Sequence, residues 1–420
     1  MNALLLALLL AAGRTLTLEE ALLLARRNPQ IAQAEAAVTQ ASGQVGVARS
    51  GFLPSASASA SFVAATSNFA PQPTLGRPNT PSQPANDTLY PFYNTTAITI
   101  TQPIWDFGRT LGSYQAARSS QGAAEASAVA TWNDVALRVR TTYYAVLAAE
   151  ALVEVSRQTI ASDEKKLELA KGQFEVGTRP RFDVTQAQVD LESARITLIQ
   201  TRNAVAVARI QLSQAVGQDV SDAALVVPPL DGDPAPDVRA VTDAAMQGRP
   251  DLKAAELQVA AQEESLGAAK SAFLPILSAS GNLGWKGSDF PLVHNWQVGA
   301  SLSWPFLNGG ADLGRIETQR GTLDQARAAR DVLVLQIRAD VEQGVASVLE
   351  ARARRGAART LVAQARENLD LAEGRYQSGL GTIIDLSVAQ TAFASAQAQE
   401  VKAAFDLASA RAQLERAVGR

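Results

Sequence analysis

The chain has 420 residues, enough for a large buried core or two domains, and it contains no cysteine and a single histidine, His294. This excludes disulfides, thiolate metal sites, a cysteine nucleophile and a lipidated N-terminal cysteine, and it leaves no cluster of His, Cys or carboxylates for metal or hydrolytic chemistry. The net charge of −3 speaks against a nucleic-acid partner, and 19% charged residues is low for a soluble helix-rich protein.

Residues Ala3 to Ala12 are almost entirely Leu and Ala, too short a run to span a bilayer as a helix. They read as the apolar region of a signal peptide over 1–13, cleaved near Ala12 or Gly13, although no Lys or Arg precedes the run. A buried N-terminal helix is the alternative. No other stretch approaches 18 apolar residues, so no transmembrane helix is expected. An exported chain of this kind is soluble or crosses the outer membrane as a β-barrel.

From there the chain is a duplication. Arg49-Ser50-Gly51-Phe52-Leu53-Pro54 recurs as Lys270-Ser271-Ala272-Phe273-Leu274-Pro275, and Pro29 and Glu35 recur as Pro250 and Glu256, all at an offset of 221. Beyond the hairpins the offset is 202: Pro103, Gly108 and Arg118 match Pro305, Gly310 and Arg320, and Gly177 and Asp183 match Gly379 and Asp385. The first repeat covers 14–218, a Pro- and Asp-rich linker covers 219–240, and the second repeat covers 241–420. Each repeat has the order helix, β-hairpin, very long helix, break, helix. Helices are predicted at about 17–51, 109–177 and 181–217, then at about 241–272, 311–379 and 382–418. Each long helix of roughly 69 residues would measure roughly 100 Å at about 1.5 Å per residue, so the two shorter helices stacked end to end could lie antiparallel to it. That favours a long cylinder over a globule.

The third helix of each repeat carries a seam spaced 3,4,3,4. It runs through Val184, Ala187, Leu191, Ala194 and Leu198 to Ala215, and again from Leu386, Ala389, Phe393 and Ala396 to Ala417, interrupted by Glu400. Such a seam implies coiled-coil packing with left-handed supercoiling; an ordinary amphipathic helix is the alternative.

The hairpins are expected at about 55–104 and 276–305. In the second, Trp296, Val298, Ala300, Leu302 and Trp304 alternate with Asn295, Gln297, Gly299, Ser301 and Ser303. Trp296 to Trp304 spans roughly 27 Å at about 3.3 Å per residue, which suits a lipid-facing band of about 25 Å between aromatic girdles formed by Trp285, Trp296 and Trp304. In the first, Ala56, Ala58, Ala60 and Phe62 alternate with serines, and Ile98 and Ile100 stand among threonines. The loops Ala65–Phe92 and Lys286–His294 would face outside. Four strands cannot close a barrel, and lipid does not tolerate open sheet edges, so subunits must share one.

The duplicated helix–hairpin–helix order resembles the TolC-like outer-membrane efflux proteins. So do Phe-Leu-Pro before each first strand, Pro-x4-Gly after each second strand, and Tyr376-x-x-Gly379-x5-Asp385. The resemblance covers nearly the whole mature chain. It implies a mainly α fold with a small β part: a homotrimer in outer-membrane lipid, whose β-barrel of about 12 strands continues into an α-helical barrel crossing the periplasm. It implies a passive exit duct of a tripartite efflux or type I secretion system, not an enzyme, with no cofactor or metal, working with a periplasmic adaptor protein and an inner-membrane pump. A periplasmic coiled-coil scaffold or adhesin without a pore is the alternative.

The two helix breaks, 176–183 and 378–385, would sit at one end of the cylinder. Gly177 and Gly379 suit the left-handed residue that ends a helix, and Pro180 suits the start of the next. By resemblance, Val176-Gly177-Thr178 and Ser378-Gly379-Leu380 match the turns that meet the adaptor. Asp385 matches a ring of aspartates at the narrowest point, which would favour cations. Thr382-x-x-Asp385 is equally a capping box, and the two readings are compatible. Asp183 and Tyr376 match a pair that helps to hold the tip closed; alternatively Tyr376 simply packs beside Gly379. Two departures stand out: Gly381 replaces a basic residue of the family's latch, and Val388 replaces a second acidic ring position. Arg179 and Arg181 are candidates for the replacement charge. His294 reads as a solvated loop residue, and Arg352, Arg354 and Arg355 as a solvated or salt-bridged face.

Overall fold

Asn28-Pro29 and Arg249-Pro250 decide where the first helix of each repeat stops and restarts. A proline restricts the residue before it to extended backbone and suits the first position of a helix. A computed structural model of the chain describes residues 15–66, 89–229, 237–287 and 290–420. In it the single helix expected over 17–51 is two, α1 (Leu18–Ala25) and α2 (Pro29–Ser50). That expected over 241–272 is likewise α5 (Val238–Gly248) and α6 (Pro250–Ser271). The other helices are α3 (Arg109–Glu175), α4 (Arg181–Val216), α7 (Ala311–Gln377) and α8 (Ile383–Val418). The signal peptide expected at 1–13 lies outside the described residues, as do 67–88 of the first loop and 230–236 of the linker.

The Asn28 break is built rather than merely permitted. The Asn28 carboxamide accepts from Gln30 N–H at 2.9 Å and donates to the Ala215 carbonyl at 2.8 Å, so one buried side chain caps α2 and ties it to the end of α4. Asn28→Ala is expected to cost about 1–2 kcal/mol, the usual loss for a helix cap, read as a lowered unfolding midpoint of the detergent-solubilised protein. An unchanged midpoint would mean that water replaces both contacts.

The chain divides into two units. The first holds residues up to Val38, Ala123–Ala255 and Ala329–Arg420. Its largest core gathers Leu16, Ala21, Ala25, Val135, Val139, Tyr143, Val146, Leu212 and Val216. At its edge β1 (Thr15–Leu16) pairs in parallel with β4 (Ala224–Leu225), so part of the expected linker is structured. The Tyr143 hydroxyl lies 2.8 Å from Leu16 O and 2.7 Å from Val226 O and accepts from Val226 N–H, satisfying the polar groups that this short sheet buries. The predicted seams on α4 and α8 face inward: Ala187, Leu191, Ala194, Ala208, Leu212 and Ala215 are buried, as are Leu386, Ala389, Ala396, Ala403, Leu407, Ala410 and Ala417. Glu400 is half-buried.

The second unit, Thr39–Gly122 with Glu256–Ala328, carries an antiparallel sheet of β2 (Ser55–Thr66), β3 (Leu89–Trp105), β5 (Ile276–Gly287) and β6 (Val293–Ser303), in the order β2-β3-β5-β6. The register aligns Ala56, Ile100, Gly281 and Val298 across all four strands, and Ile98, Leu283 and Trp296 across three. One residue along, Ser57, Thr99, Asn282 and Gln297 align on the opposite face. The alternation seen in each strand therefore becomes one apolar and one polar face. Trp285 pairs with His294, two residues from the Leu283–Trp296 pair on the apolar side. Trp304 lies just beyond β6, its indole N–H donating to Phe273 O at 3.0 Å. No helix among the described residues is long and apolar enough to cross a membrane.

Candidate gate at the paired interhelical turns

Both turns end their helices by the same hydrogen-bond pattern. After α3, Gly177 takes φ 76° and Thr178 N–H reaches back to Gln173 O at 3.0 Å. After α7, Gly379 takes φ 81° and Leu380 N–H reaches back to Arg375 O at 2.9 Å. A left-handed residue closing a six-to-one bond is the standard helix stop, and glycine adopts it without strain. The predicted docking residues Val176, Gly177, Thr178, Ser378, Gly379 and Leu380 are all exposed, and Val176 and Leu380 present apolar side chains at 74% and 77% exposure.

Asp385 is exposed and forms the capping box of α8. Its carboxylate accepts from Thr382 N–H at 3.1 Å and from the Thr382 hydroxyl at 2.8 Å, while the hydroxyl accepts from Asp385 N–H. Those two bonds from Thr382 hold the carboxyl below its ordinary range. Val388, one turn further along α8, is also exposed.

Asp183 and Tyr376 come together. The phenol donates to Asp183 Oδ2 at 3.1 Å, and both side chains are buried. Tyr376 packs with Leu369, Ile383, Leu386 and Ala389, so the polar contact is set into an apolar cluster. Burial, then the charge and hydrogen bond of Asp183, push the phenol from 10.0 up to about 12, with Arg179 pulling the other way. A phenol raised in the fold contributes stability that is complete below its unfolded pKa and is lost as pH climbs through its folded value. The stability advantage of the native protein over Tyr376→Phe is therefore expected to hold below pH 10.0 and to shrink between pH 10.0 and about 12. Thermal unfolding of the two proteins across that window reads the difference directly.

Arg179 lies against the second turn: Nη2 donates to Gly381 O at 2.7 Å, and the guanidinium stands 4.9 Å over the Tyr376 ring.

A second buried polar group, further along the same helices, is absent from the sequence reading. Lys166 on α3 is 3% exposed and pairs with Asp163 at 2.9 Å and with Asp190 of α4 at 2.7 Å. Ser387 of α8 donates to the same Asp190 oxygen at 2.6 Å, and Gln186 to the other at 2.9 Å. Burial raises the Asp163 carboxyl against the pull of Lys166. At Asp190 burial acts the same way, but the bonds from Lys166, Ser387 and Gln186 outweigh it and leave the group low. Asp163, Lys166, Asp190 and Ser387 line a cavity of about 400 Å³ with Gln390 and Thr391. The Asp163–Lys166 and Gln186–Asp190 spacings are local signals; the partners that reach Lys166 from other helices lie 24 and 221 residues away. Among the described residues no group of three or more His, Cys, Asp or Glu could hold a metal ion.

The chain as a whole is similar to known proteins. The probable efflux pump outer membrane protein TtgC of Pseudomonas putida is 28% identical over 301 residues, which are 68% of this chain and 58% of TtgC's own length. The Campylobacter jejuni CmeC outer membrane channel matches with a TM-score of 0.84 at 19% identity, over 96% of this chain and 85% of that one. VceC, an outer membrane protein of Vibrio cholerae, matches with a TM-score of 0.81 at 22% identity, over 96% of each chain. The fold, mainly helical with a small sheet part, is that of these outer membrane proteins. A family model described as outer membrane efflux protein matches residues 21–218 and 241–420, and this chain belongs to that family.

Proposed function

We propose that this chain is one subunit of a trimeric exit duct in the outer membrane, extending into the periplasm and passing cargo without chemistry of its own. The observation that carries the reading is the four-stranded sheet. Its aligned rows of Ala56, Ile100, Gly281 and Val298 and of Ile98, Leu283 and Trp296 make an apolar band, and among the described residues its outer strands β2 and β6 each pair with one neighbour. A lipid-facing sheet must satisfy every backbone donor and acceptor, so β2 of one copy pairing with β6 of the next is the economical closure. Trp285, Trp296 and Trp304 then border the lipid-facing band.

The paired turns are the proposed gate. Asp385, multiplied by symmetry, lines the aperture; Asp183 and Tyr376 latch it. The exposed residues of 176–178 and 378–380 meet a periplasmic adaptor that links the duct to an inner-membrane pump. Membership of the efflux family supports these partners, as does the apolar exposure of Val176 and Leu380.

Planar-bilayer recording of the purified oligomer tests the reading. The expected result is a cation-preferring conductance whose selectivity or divalent block falls in Asp385→Ala, because a ring of carboxylates attracts cations. A non-conducting protein would return the pore-free scaffold as the better account. Conductance with unchanged selectivity and block in the variant would remove Asp385 from the aperture.

A further inference from the structure

Arg179 follows directly after the exposed triplet Val176-Gly177-Thr178, yet the contacts of its guanidinium lie on the other turn. Nη2 donates to Gly381 O at 2.7 Å and lies 3.5 Å from Tyr376 O, and the guanidinium covers the face of the Tyr376 ring at 4.9 Å. The Tyr376 carbonyl belongs to the last turn of α7, where a cation is favoured. The ring that the guanidinium covers is the one whose hydroxyl bonds Asp183.

Gly381 explains why the cation arrives from across the gap. It is buried, and its N–H folds back onto Arg375 O at 2.9 Å. A Cβ added there would lie 3.1 Å from Arg375 Cβ, 3.2 Å from Arg375 C and 3.2 Å from Tyr376 N, against backbone that has little freedom to give way. In this conformation a side chain at 381, charged or otherwise, would press against Arg375 and Tyr376 and require them to shift by a few tenths of an ångström. The first turn supplies the cation instead.

We propose that Arg179 is the positioning residue of the gate: a clamp between the two turns that holds the Tyr376 ring in register with Asp183. This rests on reading the turns as a gate. The guanidinium is planar and can stack on the ring while donating to a carbonyl, so one side chain fixes both the ring's orientation and the separation of the turns. Anything that seats on Val176-Gly177-Thr178 or Ser378-Gly379-Leu380 and moves one turn against the other strains this clamp first, because Arg179 and Gly381 each directly follow one of those triplets. Displacement of the turns is thereby coupled to release of the Tyr376–Asp183 bond.

Single-channel conductance of the reconstituted full-length oligomer tests the clamp in Arg179→Ala, Arg179→Lys, Tyr376→Phe and Arg179→Ala/Tyr376→Phe. Arg179→Ala is expected to raise the ratio of open to closed channels about tenfold or more, as befits the loss of one hydrogen bond from a charged donor. Tyr376→Phe should act in the same direction, and adding Arg179→Ala to it should have a smaller effect than in the native background, because the part of the Arg179 effect that runs through the Tyr376–Asp183 bond is already gone. Arg179→Lys keeps a charge and a donor but loses the plane, so its melting temperature should stay near native while its conductance rises. Should Arg179→Ala fail to assemble, the lysine variant still decides. Native conductance in Arg179→Lys, or an Arg179→Ala effect undiminished in the Tyr376→Phe background, would overturn the clamp and leave the gate intact. No rise in Tyr376→Phe would overturn the gate, and the clamp with it.

Discussion

Lys166→Met is expected to destabilise the detergent-solubilised protein by about 3–5 kcal/mol, the range for removing one partner of a buried ion pair. The lysine is 3% exposed and sits between Asp163 and Asp190, so the variant leaves a buried and a half-buried carboxylate without the cation they share. At least one must take a proton or draw in solvent. The loss should therefore lessen on acidification, as protonation removes the uncompensated charge, whereas the native protein should weaken as Asp190, held low in the fold, becomes protonated. Converting Asp163, Lys166 and Asp190 together to apolar residues of similar volume should recover most of the stability, since an all-apolar site leaves no buried charge unpaired. Denaturant midpoints of the native, single and triple variants decide the matter. A single variant as stable as the native protein would show that the cluster is solvated.

Tyr376→Phe carries the second large effect. It leaves the Asp183 carboxylate, 4% exposed, without the phenol that donates to it. An orphaned buried charge costs more than the net worth of the bond it lost, about 3 kcal/mol or more for a charged acceptor. Unfolding should show this loss, and conductance should rise as the turns part. Asp183→Asn keeps a carbonyl acceptor and should lose less. In Asp183→Leu/Tyr376→Phe both partners become apolar, so stability should largely return while conductance stays raised, because apolar packing lacks the directional bond that fixes the turns. Stability and conductance recovering in parallel would show that the bond is structural and has no share in gating.

The features legible in advance share a physical origin: they are written in neighbours three or four residues apart on a helix, or two apart on a strand. The seams on α4 and α8 follow from such spacing, and so do the glycine stops at Gly177 and Gly379 and the Thr382–Asp385 capping box. The alternation in β6 needed only the strand period, and its register with β5 then followed from matching faces. The helix breaks at Asn28 and Arg249 obeyed equally local proline rules, although one helix had been expected across each.

The duplicated order of elements, the lengths of α3, α4, α7 and α8, the alternation in the strands and the positions of the turns were determined by the sequence alone, because each rests on contacts that close within a few residues. Which side chains meet across those elements was decided only by the tertiary structure. Tyr376 reaches Asp183 over 193 residues, Arg179 reaches Gly381 over 202, and Lys166 reaches Ser387 over 221. Such pairings depend on how far each helix is rotated and slid against its neighbour. That setting is the joint outcome of all the packed side chains in the unit, and no short stretch of sequence contains it.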